Sequence, residues 1–425
     1  MRPRGYWGLP AFASLSMAGS SGMQLGFVHA ALPKGSRGKT LVYLFLRGGY
    51  DGLNMVIPLT GTHRTEYENK REHIQVPVSG DNAMHNLNGA FGLHGSASGM
   101  KALYDAGKLA VVHAVGMPEG LGSRSHFDSQ EMYELGTLGD LSTTTGWLAR
   151  HMMSTPGLVE DAAIPSLSTN SSSPTSLLGD KTAMTLDSVS GFHPNGGRYG
   201  NEHLDALAKI YNGNSSLDYA VKSSIDTINM LQQIDVEVPD TYPDTSLADD
   251  LGLLAGMIKM NVGLQVAAVD FGGWDTHNGQ GDNGGGYYAT RVEILSDAIA
   301  AFMDDLASHG LDNDVVLVVQ SEFGRRVREN GNRGTDHGTA FPMFVVGGKV
   351  QGGKVYGTFP GVADDDLYLN TDLKVTTDFR KVLSDVLVNF MGNPNVGTVF
   401  PGYTYSESDS FGLTGGAELF SNGFE

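Results

Sequence analysis

Thr40-Leu-Val-Tyr-Leu-Phe-Leu46 runs directly into Arg47-Gly-Gly-Tyr-Asp-Gly52, an apolar stretch of strand length that stops at a polar, glycine-rich loop. Seven apolar or β-branched residues without alternation read as a strand buried on both faces. The same arrangement recurs twice further along. Leu264-Gln-Val-Ala-Ala-Val269 leads to Gly272-Gly-Trp-Asp-Thr-His277, and Val315-Val-Leu-Val-Val319 leads to Ser321-Glu-Phe-Gly-Arg325, with Thr335-Asp-His-Gly338 shortly after. Buried strands of this kind belong to parallel sheets, where ligands bind outside the carboxyl ends of the strands. Asp51, Asp275, His277, Glu322 and His337 are therefore expected to meet in one crevice although they are far apart in the chain.

Between these runs the pattern alternates with helices. Ser98–Ala106 has helical spacing and stops at Gly107; Leu109–Val115 reads as another strand, and Phe127–Leu135 as a helix that puts Ser125 and His126 at a strand-to-helix junction. Leu247–Asn261 and Arg291–Ala307 are amphipathic helices that feed the second and third strand runs, while Pro342–Val346 and Thr377–Met391 continue as strand and helix. The expected fold is α/β, a mainly parallel central sheet covered by helices on both faces. The segment His63–Asn88 is polar enough to read as a surface excursion. The stretch from about 154 to 245 is rich in Ser, Thr, Gly and Asn and reads as a cap or insertion, its one helix spanning Leu204 to roughly Gln233. The tail over 403–425 is Ser- and Gly-rich and reads as mobile.

Composition narrows the function. The chain of 425 residues has 47 acidic and 28 basic residues, a formal charge of -19, which argues against general binding to nucleic acid or an anionic membrane. It has no Cys, so thiolate ligands, a cysteine nucleophile and disulfides are excluded. No segment approaches the ~18 consecutive apolar residues of a membrane span. Residues 1–30 read as an export signal, with Arg2 and Arg4 at the head, a mildly apolar Trp7–Ala18 stretch and Val28-His-Ala30 at the cleavage spacing, which implies a periplasmic or secreted protein.

Carboxylates and imidazoles together are the donor set of a divalent cation, Zn or Mn before Mg or Ca. Asp275 and His277 stand two apart on a glycine-rich loop, where both can turn to one ion. Ser125 at a helix start is the candidate nucleophile, since the first amides of the helix can hold an anionic adduct; the other reading is a helix N-cap. His126 beside it is the best further candidate for ligand or acid–base work. Arg124, Arg47 and Arg325 are candidate clamps for a substrate oxyanion or else structural ion pairs. Asn54 is placed with substrate binding, or as the residue that orients Asp51.

Leu46-Arg-Gly-Gly-Tyr-Asp-Gly-Leu-Asn54, Arg124-Ser-His-Phe127, Gly146-Trp-Leu-Ala-Arg150, Gly272–His277, Glu322-Phe-Gly-Arg325 and Gly334-Thr-Asp-His-Gly338 occur in this order. They resemble the domain-of-unknown-function-1501 family of exported bacterial proteins over roughly Thr40 to Met391. That family is similar in turn to the alkaline phosphatase and sulfatase superfamily, which implies an alkaline phosphatase-like fold, one or two divalent ions, and hydrolysis of a phosphate or sulfate ester on an anionic small-molecule or polymeric substrate. By this resemblance Asp275, His277 and His337 hold one ion, and Asp51 with Glu322 holds a second beside Ser125. The chain departs from the pattern at Glu322-Phe323, where phosphatases present Asp-His, so a ligand is missing or is supplied by His126. The alternative is a non-catalytic exported protein that binds a metal or glycan on the same fold.

Overall fold

The computed structural model describes residues 38–158, 162–186, 200–215 and 238–415, with scattered positions between 217 and 229. The expected export signal therefore lies outside the described residues, as does part of the expected 204–233 helix, which is not continuous: a helix over Gly200–Ile210 ends before a non-helical 211–215, and the described positions between 217 and 229 are helical again.

Among the described residues the principal sheet has nine strands: β1 Thr40–Leu46, β2 Leu109–Gly116, β3 Ser166–Ser168, β4 Ala183–Thr185, β5 Val266–Phe271, β6 Val315–Ser321, β7 Phe341–Gly347, β8 Lys354–Tyr356 and β9 Thr377–Asp378. Their order is β8-β2-β7-β6-β1-β5-β3-β4, with β9 also paired to β2. β1 is central and parallel to both neighbours, Leu44 facing Val269 on one side and Val319 on the other. All seven β1 residues are buried, as the unbroken apolar run requires.

Only β7 runs against the others, pairing antiparallel with β6 and β2. No helix separates β6 from β7, and without a crossover helix the chain returns antiparallel beside the strand it has just left. Because β7 is the one reversal, β1, β2, β5 and β6 all point the same way, and the loops after them open on the same edge of the sheet. Those loops carry every candidate site residue.

Helices pack around the sheet. α1 (Ser98–Asp105) and α3 (Ser246–Lys259) both lie against the long α4 (Tyr287–Ser308), and α2 (His126–Leu135) starts at the carboxyl edge behind its N-cap Ser125. α5 (Phe379–Val386) is capped by Asp378 and continues as one wider turn to Met391, ending at Gly392 in the left-handed conformation, φ 76°. The expected single helix from Thr377 thus begins two residues later, because Thr377 and Asp378 pair with β2.

Three expectations change. The 154–245 region is not wholly a cap, since β3 pairs with β5 and β4 with β3, extending the main sheet. The polar 63–88 segment is not all surface: Tyr67 and Arg71 are fully buried. The tail is packed at its start, where Leu413 is buried, its amide donates to Asp385 Oδ2 at 2.9 Å and Thr414 bridges to Val350; residues 416–425 lie outside the described part.

Candidate metal centre

The loops after β1, β5 and β6 are in backbone contact. Gly48 has φ 124°, and a Cβ there would stand 2.4 Å from the Asp275 amide nitrogen, so only glycine lets the first loop close on the second. Arg325 ties all three together. Its guanidinium donates to the carbonyls of Gly48, Gly49, Trp274 and Thr335 and, at 2.6 Å, to Asp275 Oδ1, with no side-chain exposure. A buried guanidinium with its donors already used positions Asp275 and cannot clamp a substrate, which corrects its expected role.

Around Asp275 stand three imidazoles. His277 Nε2 lies 3.2 Å and His337 Nε2 3.4 Å from Asp275 Oδ1; His126 Nε2 lies 3.6 Å from Oδ2. The two nitrogens of His277 and His337 are 2.8 Å apart. His126, Asp275 and His337 each offer a ligand atom within 4.8 Å of the others. Ligand atoms at ~2.0–2.1 Å from one tetrahedral ion stand roughly 3.3 Å apart, near the separations of the His277 and His337 Nε2 atoms from Asp275 Oδ1.

The far side of each ring fixes its tautomer. His126 Nδ1 is 2.8 Å from Glu322 Oε1, His337 Nδ1 is 2.8 Å from the Arg124 carbonyl, and His277 Nδ1 is 3.4 Å from Asp336 Oδ1. Carbonyls and carboxylates only accept, so each Nδ1 carries the hydrogen and each Nε2 presents a lone pair inward. With neutral rings the inward nitrogens are acceptors, and two imidazole lone pairs 2.8 Å apart beside a carboxylate repel unless a cation or a shared proton stands between them. His126 Nε2 is moreover buried with no hydrogen-bond partner. The donor set and this orphaned nitrogen fit a divalent ion, and the Nδ1 contacts are the outer contacts that orient histidine ligands.

Electrostatics agree. The Glu322 hydrogen bond outweighs burial and raises the His126 pKa. Burial lowers that of His337, and the charge of Arg325 adds to it. For Asp275 burial works upward, yet the bond and charge of Arg325 carry the net shift down, so the carboxylate stays ionised.

The remaining expected residues divide. Glu322, fully buried, accepts from the Gly48 amide at 2.7 Å, His126 at 2.8 Å, Gln130 at 2.9 Å and Ser321 at 2.9 Å; it supports a ligand and is not placed as one. Asp51 turns away to Arg71, at 2.5 and 2.9 Å, and to Gln280 at 2.6 Å, a buried ion pair whose oxygens are taken. The Asp51 and Glu322 pair expected to hold a second ion is not assembled. Asn54 is buried and shares Arg71 with Asp51, so it orients that pair and does not meet substrate. Arg47 is bound between Glu134 at 2.6 Å and Asp270 at 2.9 Å, a structural ion pair in place of the expected oxyanion clamp. The Arg124 guanidinium is held by Asp372 at 2.5 Å, and its carbonyl serves His337. Ser125 caps α2, its Oγ accepting from the Asp128 amide at 3.5 Å. Asp336, which the sequence does not single out, sits beside His337 in the same motif and stands behind the His277 ring.

Residues 38–393 match the family described as Protein of unknown function (DUF1501). The chain belongs to this family. Asp275, His277, His126 and His337 all lie inside the matched span and come from three of the ordered motifs of this sequence. No curated protein sequence matches the chain. Among solved structures it is similar to the lipoteichoic acid synthase LtaP from Listeria monocytogenes, at 9% identity, TM-score 0.31, covering 76% of this chain and 67% of that one. It is similar also to a protein of glycosaminoglycan metabolism from Bacteroides thetaiotaomicron, at 10% identity and TM-score 0.36, covering 86% and 74%. A sulfatase from Pseudoalteromonas sp. gives 9% identity and TM-score 0.32, covering 76% and 65%, so this chain spans less than two thirds of that one. Superpositions this loose leave the fold to be read from the sheet itself.

Proposed function

We propose that this protein is an exported, metal-dependent hydrolase of phosphate or sulfate esters, with a single divalent ion held by His126, Asp275, His277 and His337. The observation that carries the reading is the buried, unpartnered Nε2 of His126 facing Asp275 at 3.6 Å, with His337 in the same group. Three imidazoles and one carboxylate are a donor set that suits Zn first and Mn second. When bound, such an ion supplies Lewis-acid polarisation of the ester and neutralises charge on the departing oxygen.

The chain's own residues supply the rest. Ser125, next to His126 and at the start of α2, is the proposed attacking group; its present contact to the Asp128 amide is long at 3.5 Å and easily surrendered. An anionic adduct on Ser125 would stand at the N-terminus of α2, where the first amides of a helix favour negative charge. Arg325 and Glu322 hold Asp275 and His126 in place, which supports rate through positioning.

A second reading is a metal-dependent binder without turnover. Phe323 favours it, because this ring packs on His126 at 4.9 Å and on His337 at 4.7 Å where a further polar ligand would otherwise stand. Elemental analysis of the purified protein, combined with a panel of phosphate and sulfate esters, separates the two. One equivalent of metal with ester turnover is expected; metal without turnover across the panel selects the binder, and no metal removes both.

A further inference from the structure

A cavity of about 150 Å³ lies one residue behind the histidine cluster, lined by Lys70, Arg326, Arg328, Glu329, Asp336 and Asp364 among others. Asp336 is the shared wall, since one of its oxygens holds His277 and the other faces Arg326, both at 3.4 Å. The three carboxylates and three cations are unequally satisfied. Glu329 accepts from the amides of His73 and Ile74 at 3.0 Å each and from the His73 ring at 2.6 Å. Asp364 is paired with Lys70 at 3.0 Å, and Lys70 also holds Glu66 at 2.8 Å. Asp336 accepts from Asn330 at 3.2 Å as well as from His277.

The two arginines are left over. Arg326 reaches Asp336 only at 3.4 Å and Asp372 only at 4.0 Å, and its Nε is buried with no hydrogen-bond partner. Good guanidinium–oxyanion contacts are about 2.7–2.9 Å. Arg328 is exposed and, among the described residues, makes no hydrogen bond or ion pair, feeling only a longer-range attraction to Asp364. The cavity thus holds unused guanidinium donors, the groups that bind an oxyanion.

We infer that this cavity is an anion subsite, in which Arg326 and Arg328 bind a second phosphate, sulfate or carboxylate group of the substrate, so that the substrate is a polyanionic ester. Its meaning as a substrate subsite rests on the ester-hydrolase reading, but anion binding there does not need the metal. The test is titration of inorganic phosphate into the full chain at low ionic strength, followed by calorimetry, both as purified and after chelator treatment. The chelated protein is expected to retain one phosphate site, with Kd raised at least tenfold in Arg328→Gln and further in Arg326→Gln/Arg328→Gln. Arg328→Lys should recover part of the affinity. Circular dichroism separates a lost site from a lost fold in the double variant, and Arg328→Gln alone, at an exposed position without partners, decides the matter if the double variant does not fold. The proposal is overturned if chelated wild type binds no phosphate, or if Arg328→Gln binds it as tightly as wild type. A metal-free protein without turnover that still shows the arginine-dependent site would sink the enzyme reading and leave the anion site standing.

Discussion

His126 and Glu322 form a directed pair: the ring's Nδ1 lies 2.8 Å from Oε1, while its Nε2, buried and without a partner, points toward Asp275. A carboxylate behind a histidine fixes the tautomer and raises the basicity of the other nitrogen. Glu322→Gln tests that role with little disturbance. The amide oxygen can keep the Gly48, His126 and Gln130 bonds, and the new NH2 can donate to Ser321 Oγ, which already donates to the Leu46 carbonyl at 2.6 Å. Only the charge is lost. Metal affinity measured by chelator competition should fall about 10- to 100-fold, with the melting temperature nearly unchanged; equal affinity in variant and wild type would remove Glu322 from the site.

The buried pair of Asp51 and Arg71 makes a separate prediction. Arg71 has no exposure and Asp51 none, so Arg71→Met leaves an uncompensated carboxylate in the interior, at a cost of about 3–5 kcal/mol. The expected result is a large loss of stability in urea with the metal-to-protein ratio of the folded fraction unchanged. Loss of metal at full stability would restore Asp51 as a ligand.

Asp51 also shows where the sequence is legible and where it is not. The strand runs and their loops could be read because a β-branched run ending at glycine has one physical use, and placing those loops on a common edge brought Asp275, His277 and His337 together. Asp51 belongs to the same kind of loop, but its partner Arg71 comes from a polar segment with no periodicity to mark it as buried. Whether an acid at a strand end meets an ion or an arginine depends on that distant segment. The reversal of β7 was equally hidden, since an apolar run carries no direction. His126 was legible from its place beside Ser125 at a helix start, and again as the group that could replace a ligand beside Phe323.

Stability should fall in mild acid. Burial pushes the pKa of His94 down to about 4, of His113 to about 3 and of His151 to about 4. Each is neutral when folded and takes up a proton on unfolding below its ordinary pKa of about 6.5. Their contribution is therefore whole above pH ~6.5 and is lost as pH falls toward ~4, on the order of 3 kcal/mol for each at the bottom of that window. His113 is the clearest test. It packs on Phe91 at 4.2 Å and Phe359 at 5.3 Å, and its Nε2 has no partner. His113→Phe should match wild type within ~1 kcal/mol at neutral pH and lose less stability by pH 5 in urea melts. An unchanged pH profile would show that His113 does not titrate on unfolding.

The last prediction separates the attacking group from the metal ligands. His277 and His337 present their Nε2 atoms to the same point 2.8 Å apart, whereas Ser125 contributes no donor to that cluster and caps α2. His277→Ala and His337→Ala should each weaken metal binding, read as fewer bound equivalents after dialysis against a chelator, because each removes one donor of the set, and turnover should fall with the metal. Ser125→Ala should keep the metal and cost only about 1 kcal/mol of stability from the lost cap. If Ser125 is the nucleophile, its turnover of an ester found active in the screen falls by several powers of ten at constant metal content. Mass spectrometry of a quenched reaction should then find an adduct on the Ser125 peptide in wild type and none in the variant. Near-normal turnover in Ser125→Ala at full metal occupancy would transfer the attack to a water and leave Ser125 with the helix-capping role alone.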